Sequence, residues 1–117
     1  MGEPHKGWGY MLSGLQLERL MTAAGYAGGA QAAVDLALAY AKERQQFGKP
    51  IGTFQSIAHM LADMQTAVEA TRALLWRAAW QLERGEDALM AISQAKLFGS
   101  EAYANIANQG MQIMGGY

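Results

Sequence analysis

No cysteine occurs in the 117 residues. That excludes disulfides and thiolate metal sites, and it fits a reducing compartment. The two histidines, His5 and His59, stand alone. Neither has a second imidazole or a carboxylate at ligand spacing, so no metal site is expected. His5 reads as an exposed loop residue and His59 as partly buried beside its neighbours. Charge of either sign is scarce and dispersed, with a net of −1. It gives no electrostatic basis for binding nucleic acid or an anionic membrane. No apolar run approaches the ~20 residues of a membrane span, and no basic leader precedes an apolar stretch at the N-terminus. A soluble, intracellular chain is the expectation. With only two prolines, long stretches are free to be helical.

What is present is apolar and rich in small residues. Hydrophobic residues make up 51% of the sequence, enough for the core of one ordinary domain. Three segments carry helical spacing. The first, about residues 14–46, repeats Leu20, Ala24, Ala27, Gln31, Val34, Leu38 and Ala41 in steps of four and three. Gly25, Gly28 and Gly29 within it suggest close helix–helix approach, because each would otherwise cost ~1 kcal/mol against alanine. Gln31 interrupts the apolar face and is expected to be satisfied across the bundle.

The second segment, about 53–84, has the stripe Phe54, Ile57, Leu61, Met64, Val68, Thr71, Leu75, Ala78 and Leu82, and Gly85 ends it. Arg72, Trp76 and Trp80, spaced by four, share a face suited to packing between helices or subunits. The third segment, about 87–114, has the narrow face Ala88, Ile92, Ala95, Gly99, Ala102, Ile106, Gln109 and Ile113. Asn105, Asn108 and Gln109 either line a groove or meet solvent. Residues 1–13 read as an extended lead-in with at most a helical turn at Trp8–Leu12, Trp8 and Tyr10 covering the end of the bundle. The predicted fold is therefore all-α: three long helices in an antiparallel up-down-up bundle.

The joint between the first two helices holds the densest chemistry, RQQFGKPIGTFQ from Arg44 to Gln55. Gly48 and Pro50 are expected to stop the first helix and Thr53 to cap the second. Arg44 has two readings. It is a cation in a last helical turn, favoured by the macrodipole, or a guanidinium which, with Phe47, pairs a phosphate and covers a flat ring. Glu18 and Arg19 likewise read as a first-turn carboxylate beside a solvated arginine.

Taken together, three motifs resemble the C-terminal helical domain of the acyl-CoA dehydrogenase family. The first comprises Arg44, Phe47, Gly48, Pro50, Ile51, Gln55, Leu61, Ala62, Asp63 and Met64. The second is Gln112-Ile113-Met114-Gly115-Gly116-Tyr117, and the third Leu15-Gln16-Leu17-Glu18-Arg19. They lie in the family's order and spacing over nearly the whole chain. The resemblance implies a division into a lead-in from a β-domain, 1–13, and a helical-bundle domain, 14–117, truncated before a fourth long helix. It implies that an apolar groove is left exposed.

It also implies the parent chemistry: oxidation of an acyl-CoA to its trans-2-enoyl form by α-proton abstraction and β-hydride transfer to FAD, with electrons passed to an electron-transferring flavoprotein. By position, Arg44, Gln45, Gln46, Phe47, Phe54, Gln55 and Gln112, Ile113, Met114, Gly115 and Gly116 correspond to segments holding FAD across a subunit boundary. Glu18 corresponds to the helix-borne base of the isovaleryl-CoA and long-chain subset, and Arg19 to a substrate-contacting segment. A homo-oligomer, dimer or tetramer, in the cytoplasm or a mitochondrial matrix follows from the same likeness. Two alternatives stay open: a catalytically silent helical oligomerisation module, and a related acyl-CoA oxidase or flavin monooxygenase.

Overall fold

A computed structural model of the chain describes residues 2–116. Three helices dominate: α1, Gly7–Glu43; α2, Gln55–Glu83; and α3, Leu89–Met114. Between α1 and α2 lie two two-residue strands, β1 (Gln45–Gln46) and β2 (Lys49–Pro50), and a 3-10 turn, Ile51–Thr53. The all-α expectation holds, with this small hairpin as the only sheet among the described residues.

The helices run up, down and up. Gly29 of α1 meets Tyr103 of α3, and further along Ala33 and Ala37 face Gly110, so α1 and α3 are parallel. Met64 lies near Gly110 and Thr71 near Gly99, so α2 is antiparallel to α3. The core is built largely from alanine. Ala23, Ala27, Ala30, Val34, Ala37 and Ala41 are buried on α1, and Met64, Val68, Thr71 and Ala78 on α2. On α3 the buried residues include Ala91, Ile92, Ala95, Gly99, Ala102, Ile106 and Ile113. Side chains this small let helix axes approach closely. A Cβ on Gly29 would stand 2.9 Å from the Tyr103 ring, and one on Gly99 3.2 Å from the Thr71 methyl. The result is a slab of 70 × 25 × 15 Å with a radius of gyration of 18.8 Å, against about 13 Å for a compact 100-residue domain.

The stripes expected for α2 and α3 match the buried faces closely, although Leu82 is exposed. On α1, Ala27, Val34 and Ala41 are buried as expected, but the face leans to the other side of them: Ala23, Ala30 and Ala37 are buried, while Ala24 and Leu38 are exposed. Of the three glycines expected at a close approach only Gly29 makes one; a Cβ on Gly25 or Gly28 would meet nothing within 4 Å. Gln31 is satisfied across the bundle, donating to Gln65 Oε1 at 3.2 Å.

The extended lead-in is corrected, since α1 already begins at Gly7. Its first turns run past the start of α3, where Leu20 packs against the cluster of Ala78, Ala88, Ala91 and Ile92. Trp8 and Tyr10 stand exposed on that overhang and do not cover the bundle end. His5 is exposed as expected, and so is His59, which corrects its half-buried reading. Gly85, at φ +72°, ends α2 in a Schellman motif: Glu86 N–H donates to Gln81 C=O and Gly85 N–H to Leu82 C=O, both at 3.0 Å.

Candidate functional site

The α1–α2 joint is a hairpin, not a helix end. The helix stops at Glu43, and Arg44 is already extended at ψ 125°, which corrects its placement in a last helical turn. Gln45 pairs with Pro50 and Gln46 with Lys49. Phe47 and Gly48, at the tip, both have positive φ, 53° and 78°. A type I′ turn requires that, and it matches the twist of the flanking strands. Glycine adopts such a φ freely; phenylalanine pays roughly 1–2 kcal/mol. Yet the Phe47 ring is 92% exposed, so packing does not account for it. Phe54 stands edge-on to it, centroids 6.1 Å apart and planes at 89°, and the Lys49 ammonium lies 4.4 Å from the Phe54 centroid.

Thr53 does not cap α2. Its hydroxyl turns back to donate to the Pro50 carbonyl at 2.7 Å, Phe54 is the N-cap, and no side chain caps the helix. The first N–H groups of α2 are thus available at this corner, where an anion is favoured. The guanidinium of Arg44 has no hydrogen-bond or ion-pair partner among the described residues. Gln45, Gln46 and Gln55 of the same joint are exposed.

The C-terminal motif comes to the same end of the slab. Ile113 is buried in one cluster with Ala41, and Ile51 and Ile57 pack against that cluster. Gln112 is exposed, Met114 half-buried, and Gly115 and Gly116 are bare, with nothing within 4 Å of an added Cβ. Tyr117, the motif's last residue, lies outside the described residues.

Glu18 and Arg19 are elsewhere. They sit in the fourth turn of α1, not its first, which holds no acidic residue, so the macrodipole does not explain the carboxylate. Both side chains are exposed and without hydrogen-bond or ion-pair partners among the described residues. Glu18 and Arg44 are twenty-six residues apart, about 39 Å along a helix rising 1.5 Å per residue. One copy of the chain cannot bring both to one reacting centre.

Asn105 and Gln109 line a groove of about 280 Å³ with Asp63, Phe98 and Glu101, while Asn108 is exposed outside it. An apolar groove of about 380 Å³ between α1 and α2 is lined by Leu20, Met21, Leu75, Trp76 and Arg72. Arg72 and Trp76 do share a face, with Trp76 74% exposed. Sequence reasoning missed Lys49 and the open start of α2. The signal for the hairpin was Gly48 two residues before Pro50, read there as a helix stop.

The architecture is three long helices with a Phe-Gly hairpin at one end and a bare Gly-Gly turn at the same end. The model of the acyl-CoA dehydrogenase C-terminal domain matches residues 5–117, and the chain belongs to that family. It is 43% identical over 117 residues to the caffeyl-CoA reductase-Etf complex subunit CarC of Acetobacterium woodii, covering all of this chain and 31% of that one. It is 40% identical over 116 residues to the mitochondrial isovaleryl-CoA dehydrogenase of Oryza sativa subsp. japonica, covering 99% and 28%. The butyryl-CoA dehydrogenase structure from Megasphaera elsdenii superposes with a TM-score of 0.97 at 38% identity, over 99% of this chain and 30% of that one. The chain thus spans about three tenths of the length of these relatives.

Proposed function

We propose that this chain serves as the C-terminal helical domain of a flavin-dependent acyl-CoA dehydrogenase, contributing to two different active sites of a homo-oligomer. One observation carries the reading. An unpaired guanidinium precedes by three residues an exposed phenylalanine held in a left-handed turn, in the joint that leads to the uncapped start of a helix. That set fits a dinucleotide: Arg44 for a phosphate, the first N–H groups of α2 for the same charge, and Phe47 and Phe54 for a flat ring. Gln45, Gln46 and Gln55 would supply polar contacts, and the bare backbone of Gly115 and Gly116, with Gln112 to Met114, would close the other side. FAD, when bound, supplies the hydride acceptor.

On this reading Glu18 belongs to the neighbouring site, where its carboxylate takes the α-proton of the acyl thioester, and Arg19 meets the substrate. The same carboxylate, run in reverse, returns a proton to the α carbon, the direction for which the Acetobacterium woodii relative is named. That relative's Etf complex supports an electron-transferring flavoprotein as partner. Cytoplasm, or a mitochondrial matrix in a eukaryote, is the compartment proposed; no described helix is long and apolar enough to cross a membrane.

The test is a pair of variants in the intact enzyme. Glu18→Gln should lower turnover by ~10²–10⁴-fold with FAD still bound, as for loss of one positioned base. Arg44→Ala should release FAD first. Normal turnover in Glu18→Gln would reduce Glu18 to a surface carboxylate. A second reading, a catalytically silent oligomerisation module, is favoured by the exposed Trp76 and Trp80. Flavin absorbance of the purified chain separates the two: stoichiometric FAD defeats the silent module.

A further inference from the structure

The hairpin tip holds a feature that the cofactor reading leaves unused. Lys49 faces Gln46 across the ladder, and instead of extending into solvent its ammonium lies 4.4 Å from the centre of the Phe54 ring. Phe54 in turn presents the Phe47 ring edge-on, at 89°. Phe47 is nine-tenths exposed and has a backbone conformation that side chains of its kind rarely adopt. The two-residue ladder is closed at its base by Ile51 N–H donating to the Arg44 carbonyl at 2.8 Å, which anchors the backbone and leaves the aromatic side chains at the tip to be ordered by their own contacts. Something at the tip must steady the aromatic pair, and the cation on Phe54 is placed to do so.

We propose that Lys49 is a positioning residue for the flavin cofactor. Its ammonium fixes the Phe54 ring, which braces Phe47 so that the exposed ring is presented ready to cover the flat part of the dinucleotide. This rests on the cofactor reading of the corner given above. The ammonium acts through a ring and not through a phosphate, because the structure places it over Phe54, while the Arg44 guanidinium of the same joint has no partner among the described residues. The chemistry is an attraction between a cation and the negative face of an aromatic ring. It needs a positive charge at residue 49 and an aromatic ring at residue 54, and it tolerates arginine in place of lysine.

The experiment titrates FAD into the apo form of the intact enzyme and reads the dissociation constant by flavin fluorescence. Lys49→Met keeps an unbranched chain of nearly the same length and removes the charge. It should weaken FAD about two- to fivefold, the range for a cation–ring contact at an exposed site, and Lys49→Arg should restore most of that. In a Phe54→Leu background, Lys49→Met should change nothing further. Independently of FAD, the Lys49 Hε resonances of the free chain should lie upfield of ordinary lysine and return to normal in Phe54→Leu.

An equal loss from Lys49→Met in both backgrounds, with a salt dependence reduced by about one charge, would show direct phosphate contact and overturn the proposal. Unchanged FAD affinity in Lys49→Met, while Phe47→Ala weakens binding, would overturn it and leave the cofactor reading standing. Unchanged affinity in Phe47→Ala would remove the cofactor reading of the tip itself.

Discussion

The separation of Glu18 and Arg44, about 39 Å along a helix, leads to a subunit-mixing experiment with a numerical answer. If each active site draws its base from one copy and its cofactor corner from another, two inactive variants complement. Glu18→Gln alone leaves every site without a base, costing ~10²–10⁴-fold. Arg44→Ala alone leaves every site short of a cofactor anchor. Co-expressed in equal amounts with different tags and assembled at random, half of all bases and half of all corners are intact. A given site pairs an intact base with an intact corner in about one quarter of cases, since the two come from different copies of a symmetric assembly. Specific activity of the mixture should therefore rise to about one quarter of wild type, from near zero in either parent. The estimate holds for a dimer or a tetramer, because it counts sites and not molecules. A mixture no more active than its parents, with mixed oligomers demonstrated by double-tag purification, would refute the two-site arrangement.

Three further outcomes test the fold. Ile106→Ala removes a fully buried side chain from the main core cluster and should destabilise the chain by about 2–5 kcal/mol in urea denaturation; a loss below about 1 kcal/mol would show that the slab collapses around the gap. Gly85→Ala puts a Cβ at φ +72° and should cost roughly 1–2 kcal/mol, read as a lower melting temperature with unchanged helical content. Circular dichroism of the chain should be dominated by helix, and a substantial sheet signal would contradict the four strand residues found here.

Legibility varied with the contrast between neighbouring residues. On α2, bulky apolar residues such as Ile57, Leu61, Met64 and Val68 alternate with aspartate, glutamine and glutamate, and on α3 Ile92, Ile106 and Ile113 mark the face among lysine, glutamine and asparagine, so the buried stripe stood out in the sequence. On α1, alanine and glycine fall on every side, and a face made of Ala23, Ala30 and Ala37 looks no more apolar than one through Ala24 and Ala39. The start of α1 was hidden because Gly7, Gly9 and Gly14 resemble breakers, yet a helix already formed tolerates each at ~1 kcal/mol. The hairpin was hidden for another reason. Its tip is Phe-Gly, not the Asn-Gly or Asp-Gly that announces a type I′ turn, and a strained aromatic at that place has no signature in composition or spacing. Glu18 and Arg44 were legible only through the family likeness. Neither side chain has a partner among the described residues, or a buried setting, that singles it out.

The parallel pairing of α1 with α3 also bears on how the chain is made. α1 packs more extensively on α3 than on α2, and Gly29 must wait for Tyr103, seventy-four residues further along. At ribosomal speeds of about 5–20 residues per second that wait is roughly 4–15 s. During it, one long flank of α1 is uncovered beside whatever else the cell contains. A flank of leucines and phenylalanines would be adhesive for those seconds. One built mainly of alanines and glycines, with exceptions such as Leu20 and Tyr26, exposes mostly single methyls, worth about 0.8 kcal/mol each when buried, and offers strangers little to hold. Its grip comes only from close registration along a whole helix, which α3, once synthesised, supplies.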